Sequence, residues 1–351
     1  MFFGSDNTSG VHPLVMEALN RANTGYAGSY GADPIMDRVR DQIRTVFEAP
    51  EAAVYLVATG TAANALCLAA HCPPWGAVYC HRHAHIEEDE CGAPEFYTGG
   101  SKLVLIDGAH AKMSAQALDA KLTEAASLGV HNVQAGMVSM TNVSEHGAVY
   151  SVAETAEIGA IAGAHAVPLH LDGARLANAV VATGARPAEL TWKAGVDAVS
   201  FGGTKNGLMG AEAVIFFDPA KAWEFELRRK RAGHLFSKHR YLSAQMDAYL
   251  QDDLWLDLAA KSNSSAQYLA TGLQETEFAR TLHPVDANMI FFEMTAAHHK
   301  RVQAAGAVYG VSSTLPLTDQ PDDAMLAARL VCSWSTTQDD IDQFLAVLRG
   351  A

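Results

Sequence analysis

The chain has 351 residues, 49% hydrophobic and 18% charged, with 39 acidic against 25 basic side chains and a formal net charge of −14. That is too apolar for a disordered chain, long for one domain at ~100–200 residues each, and too acidic for a nucleic-acid binder, which needs a basic face for phosphates. Five scattered cysteines without a CxxC pair argue for a reducing, cytoplasmic setting and against a disulfide framework or zinc module.

Met1 to Gly10 has neither the basic start nor the apolar run of a signal peptide. Ala52 to His81 lacks Asp, Glu, Lys and Arg and is long enough to span a bilayer. Gly60, Asn64, Pro73, Pro74 and Gly76 interrupt it, so a buried strand, turn and helix is expected instead. Onward from there, short apolar runs alternate with Ala-rich runs. Strands are expected at Ala53–Val57, Ala77–Cys80, Leu103–Ile106, Met137–Met140, Pro168–Leu171, Ala198–Phe201 and Ala213–Phe217. Helices are expected at Ala62–Ala70, Ser114–Ala126, Val152–Ala164 and Ala174–Gly184. Continuous apolar strands separated by helices imply an α/β fold around a mostly parallel seven-stranded sheet covered on both faces. Ligands of such sheets sit at the carboxyl ends of the strands.

After Phe217 the texture changes. Ala220–Arg240 reads as one strongly basic helical run, and a long helical pattern follows to about Gly272. Then come a strand at Met289–Glu293, a helix near Ala296–Ala305, a strand at Arg329–Ser333 and a helix from Gln338 to Leu348. This predicts a large domain over 1–242, with residues 1–12 near its site, and a smaller α/β domain over 243–351.

Four segments carry chemistry, each with a plainer reading beside it. Thr59-Gly60-Thr61 forms a small-residue turn into a helix, whose free N–H groups and dipole favour a phosphate, as any strand-to-helix turn can. His81, His83 and His85 alternate ahead of an acidic run, which suits a divalent metal if the segment is extended, or an ordinary solvated acidic face. Asp172 ends an apolar strand, either as a helix N-cap or as the carboxylate that a pyridine nitrogen requires. Lys205 follows a strand after Gly202 and Gly203, which would let a cofactor approach the backbone. It is either a loop lysine or, when desolvated, an amine nucleophile for a carbonyl. All four follow successive strands. Their conjunction points to pyridoxal 5'-phosphate: phosphate turn, stacking histidine, pyridine acid, lysine.

The chain resembles the low-specificity L-threonine aldolases, pyridoxal-phosphate lyases of the aspartate-aminotransferase fold. The resemblance runs from Ser5 almost to the C-terminus, through Gly4-Ser5-Asp6-Asn7, Tyr30-Gly31-Ala32-Asp33-Pro34, Thr59 to Asn64, His85-Ile86, His170 to Arg175, Lys205 and Arg329-Leu330-Val331. It implies that Lys205 carries the cofactor, Asp172 pairs with its ring nitrogen, Gly60 and Thr61 hold the phosphate, and His85 stacks on the ring. It implies that Ser5, Arg175 and Arg329 bind the substrate carboxylate. It further implies that Lys230 reaches the phosphate of a neighbouring subunit, in a dimer with shared sites that pairs into a tetramer. The implied reaction is reversible cleavage of L-threonine, L-allo-threonine or a related β-hydroxy amino acid to glycine and an aldehyde. His85, then Tyr30, are the candidates to take the hydroxyl proton.

Two departures from the family stand out. Ser144 occupies the place where many relatives carry a histidine facing the β-substituent, which suggests room for a bulkier group such as the aryl ring of phenylserine. Gly233-His234-Leu235 replaces a glycine run near the inter-subunit phosphate contacts. The competing readings are another lyase or transferase of this fold, one eliminating at the β-carbon or requiring a folate; a metal-dependent hydrolase built on His81, His83 and His85; and a non-catalytic protein that binds the cofactor.

Overall fold

The computed structural model describes residues 1–350. Seven strands form the large sheet: β1 (Ala53–Val57), β2 (Gly76–His81), β3 (Lys102–Ile106), β4 (Gln134–Thr141), β5 (Leu169–Gly173), β6 (Ala198–Gly202) and β7 (Glu212–Phe216). Their order across the sheet is β1-β7-β6-β5-β4-β2-β3. All pairings are parallel except those of β7, which runs antiparallel to both β1 and β6. The apolar runs read as strands because both of their faces are buried. On β7, Ala213 and Ile215 enter one core while Val214 and Phe216 enter another, as period-two alternation requires.

The uncharged stretch from Ala52 folds as β1, the helix Gly60–His71 and β2. Among the described residues no helix is long and apolar enough to cross a membrane. That helix is sheathed in Ala and Leu, and its residues 62–70 are all buried. Two helices not anticipated from the sequence, Pro13–Ala22 and Pro34–Val46, pack with Arg240–Leu250 on the large core.

The basic run does not form one helix. It stops at Arg231, because Gly233 turns the chain at φ +81°, and a new helix starts at Arg240. The strands β8 (Arg280–Thr281), β9 (Met289–Thr295), β10 (Gly310–Val311) and β11 (Met325–Val331) make an antiparallel sheet in the order β10-β11-β9-β8. Ser243 does not mark the division of the core. Leu242 through Ala259 belong to the large core, while Ala266, Leu269, Ala270 and Leu273 join the second, so the helix Leu254–Gln274 passes from one to the other; Ala287, Met289 and Val331 return to the large core. Phe3 also belongs to the second core, hydrogen-bonded to Val308 and Val331.

Candidate active site

The carboxyl ends of β1, β2, β4, β5 and β6 open into one cavity of about 280 Å³. Its walls include Thr59, Gly60, Thr61, Asn64, His85, Glu145, Asp172, Thr204, Lys205 and Glu212. Glu212 starts β7, yet it reaches the same edge because β7 runs the other way, opposite Gly202.

Asp172 is 3% exposed. Its Oδ1 accepts the Ala174 N–H at 3.0 Å and its Oδ2 accepts from Asn64 Nδ2 at 2.9 Å. It is not the cap of the following helix, since Arg175 holds that position. The same Asn64 nitrogen donates to Glu90 Oε1 at 2.9 Å, and Glu90 Oε1 meets His85 Nδ1 at 2.8 Å. One polar chain therefore runs from His85 through Glu90 and Asn64 to Asp172. The Glu90 bond raises the His85 pKa, and burial raises that of Glu90.

Lys205 sits in the single turn Thr204–Asn206 that closes β6. Asn206 pins that turn by donating to Tyr249 Oη and to the Trp255 carbonyl, both at 2.8 Å. Gly202 and Gly203 are also required by close backbone packing. A Cβ on Gly202 would lie 2.3 Å from the Ala174 carbonyl oxygen, and one on Gly203 would lie 2.8 Å from that of Ala211. The loops bearing Asp172 and Lys205 touch backbone to backbone through Gly202 and Ala174. Glu212 accepts the Gly203 N–H at 2.7 Å, and burial pushes its pKa up to about 7.

The residues present fit a phosphorylated pyridine aldehyde. The first-turn N–H groups of a twelve-residue helix at Gly60 and Thr61 have no partner within that helix. Gly60 faces open space. An amine and a carboxylate stand in the same cavity.

Several expectations require correction. The histidines do not lie along one extended face, because a helix begins at His85. His81 bonds to the Gly108 carbonyl, His83 to Glu88 and His85 to Glu90. Among the described residues no three His, Cys, Asp or Glu side chains are arranged to hold a metal ion. Ser144 does not line the cavity. It is fully buried, and its Oγ donates to the His110 carbonyl and accepts the Ala148 N–H. The neighbouring Glu145 faces the site instead.

Arg175 is committed to Asp6 by a buried two-point pair, Nε–Oδ2 2.7 Å and Nη2–Oδ1 2.9 Å. Burial opposes ionisation of Asp6, yet Arg175 holds its pKa below the ordinary value. Ser5 caps the turn Asp6–Thr8, and Arg329 Nη2 donates to the Gly4 carbonyl at 3.3 Å. The three expected carboxylate binders are therefore gathered around residues 4–7, of which Asn7 lines the cavity. Arg329 makes no ion pair among the described residues. Tyr30 and Lys230 lie outside the cavity, with Lys230 Nζ 4.5 Å from the centroid of the Tyr30 ring. Asp6 and Asn64 stand inside motifs noted above without an expected role, and Glu90, Glu145, Glu212 and Asn288 carry no expectation from the sequence.

The strand order and the lysine–aspartate pair at the sheet's carboxyl edge define the aspartate-aminotransferase type of α/β fold. Residues 3–297 match the family model described as beta-eliminating lyase. A low-specificity L-threonine aldolase of a Pseudomonas species is 36% identical over 350 residues, covering 99% of this chain and 97% of the relative. That of Pseudomonas aeruginosa is 37% identical over 348 residues, covering 99% and 96%. A solved threonine aldolase structure from Leishmania major superposes with a TM-score of 0.91 at 27% identity, covering 99% of this chain and 98% of that one. The chain belongs to the low-specificity L-threonine aldolase family.

Proposed function

We propose that this chain cleaves L-threonine, L-allo-threonine and related L-β-hydroxy-α-amino acids, reversibly, to glycine and an aldehyde. The observation that carries the reading is the meeting of Lys205, Asp172 and the open N-terminus of the helix Gly60–His71 in one cavity. The full-length relatives named as threonine aldolases supply the reaction class.

Lys205 would hold pyridoxal phosphate through its amine, with Asp172 at the ring nitrogen, Gly60 and Thr61 at the phosphate and the flat ring of His85 against the pyridine. When bound, that group supplies an electron sink for the α-carbon. The protein does the rest. Asn64 and the Ala174 N–H fix the Asp172 carboxylate, so its charge stays where the pyridine nitrogen needs it. Arg329, without a carboxylate partner among the described residues, would supply a cation for the substrate's own carboxylate. Arg175 adds a second, held in orientation by Asp6. Glu212 holds the Gly203 backbone and so sets the height of the Lys205 turn.

Tyr30 is 47% exposed and carries Lys230 on its ring. This pair reads as the contribution of one copy to the cavity of another, in a cytoplasmic homodimer that doubles to a tetramer.

The test is product analysis with L-threonine, L-allo-threonine and L-threo-phenylserine, wild type against Lys205→Ala. Equal amounts of aldehyde and glycine from the wild type alone are expected. Pyruvate and ammonia from L-serine, with no aldehyde from the others, would replace cleavage by β-elimination.

A further inference from the structure

We infer that Glu145 is the base that takes the proton of the substrate's β-hydroxyl, an assignment that rests on the aldolase reading. The cavity has three acidic walls, Glu145, Asp172 and Glu212. Two of them are occupied: Asp172 with Asn64 and Ala174, and Glu212 with the Gly203 N–H. Glu145 alone has no hydrogen bond or ion pair among the described residues. A carboxylate that holds nothing in place is free to move a proton.

The loop that carries it is built to be rigid. Asn142 brackets Tyr150 with two bonds of 3.1 Å, one to its carbonyl and one from its N–H. Ser144 N–H donates to the Ala148 carbonyl, Gly147 N–H to the Ser144 carbonyl, and Val149 N–H to Asp286 Oδ2. Glu145 stands at the tip of this closed loop, which fixes its place without using its carboxylate. The groups facing it are Arg175, Lys205, Asp172 and His85, the same residues that surround the reacting centre. Burial raises its pKa, with Arg175 and Lys205 opposing, so its carboxylate is more basic than an ordinary one.

The two earlier candidates fare worse. Tyr30 is outside the cavity of its own chain. His85 shares a proton with Glu90, and that bond favours the protonated ring, which donates rather than accepts. In the step, the hydroxyl proton passes to a Glu145 oxygen and the O–H pair becomes the second bond of the aldehyde carbonyl. The Cα–Cβ bond breaks, and its pair stays with the α-carbon until a proton closes it. One proton moves from oxygen to carbon overall, and no oxidant is required.

The test uses Glu145→Gln holoenzyme with three readouts. Aldehyde release from L-threonine should fall about 10²- to 10⁴-fold. Glycine binding, read as the change in absorbance of the bound cofactor, should stay within about threefold of wild type, since glycine has no hydroxyl to deprotonate. Exchange of the glycine α-proton in D₂O should stay within about tenfold for the same reason. Glu145→Asp should recover part of the cleavage and keep an acid limb in its pH profile that Glu145→Gln lacks. Cleavage retained within tenfold in Glu145→Gln would overturn the assignment. Loss of exchange in step with cleavage would overturn it too, by showing a general electrostatic role. A wild type that exchanges glycine but cleaves no β-hydroxy amino acid would instead overturn the aldolase reading, and this role with it.

Discussion

Glu212 is an acid of the cavity whose surroundings work against its ordinary ionisation. Burial raises its pKa from an ordinary 4.5 to about 7, against the pull of Thr204, the Gly203 N–H and Lys205. A raised folded-state value means that the folded chain holds the proton more tightly than the unfolded one. This stabilisation is fully present below pH 4.5 and is lost as the pH rises through about 7. The loss is on the order of 3 kcal/mol. Glutamine keeps the acceptor for Gly203 without the charge. In the cofactor-free protein, Glu212→Gln should therefore gain stability over wild type at pH 8 relative to pH 5. Urea midpoints at the two values measure this, and a constant difference would contradict it.

Asp6 is the opposite case, an acid that must stay charged. Asp6→Asn leaves the Arg175 guanidinium buried and uncompensated, at a cost of about 3–5 kcal/mol. It also weakens the bond that Asn288 makes to Asp6 at 3.0 Å. Denaturant unfolding reads the loss, and a change under about 1 kcal/mol would refute the pair's role.

That Lys205, Asp172, His85 and Gly60 meet in one cavity was legible because each follows an apolar strand of one sheet. Glu145, Glu90 and Glu212 were not. Their roles depend on which loop turns inward and which strand runs backward. A reading of adjacent positions alone placed Ser144 where Glu145 stands.

At the scale of elements, the close approach of two loops sets the site. The Lys205 turn and the Asp172 loop touch where Gly202 meets Ala174. Gly202→Ala must part them, because the nearest atom is backbone rather than a flexible side chain. The expected cost is about 1–3 kcal/mol of overpacking. Cofactor affinity should fall at least tenfold, since Lys205 and Asp172 must reach one ring together. Fluorescence titration of the cofactor-free variant decides it, and unchanged affinity would show that the loops tolerate separation.

The strands of the large sheet were legible within a residue or two at most ends, because burial on both faces leaves unbroken apolar runs. The helices Pro13–Ala22 and Pro34–Val46 escaped notice despite clear signals. The second has Asp33 capping Met36 N–H and buries Met36, Val39 and Ile43 at helical spacing. The basic run misled in the other direction. Its charge looked continuous, yet one glycine at positive φ divides it.

Over the whole molecule, the N-terminal segment fastens the two cores at the site. Phe3 packs in the smaller core, Asp6 holds Arg175 of the larger, and Asn288 joins Asp6 to the Cys332 carbonyl. The placement of residues 4–7 is thus coupled to both cores.

The shared-site reading makes a prediction at this scale. Lys230→Ala and Lys205→Ala should each be inactive or nearly so, because each lacks one part of every cavity. Mixed, unfolded and refolded together, they should regain about a quarter of wild-type activity, since half of the dimers are mixed and each has one intact cavity. No recovery would place Lys230 outside the shared site.

The central claim is that one lysine, brought to the aspartate by neighbouring strands, carries the cofactor. Borohydride reduction of the protein loaded with pyridoxal phosphate, followed by peptide mass mapping, tests it most directly. A single reduced adduct on Lys205, absent from Lys205→Ala, is the predicted result. An adduct on another lysine, or none at all, would contradict the account.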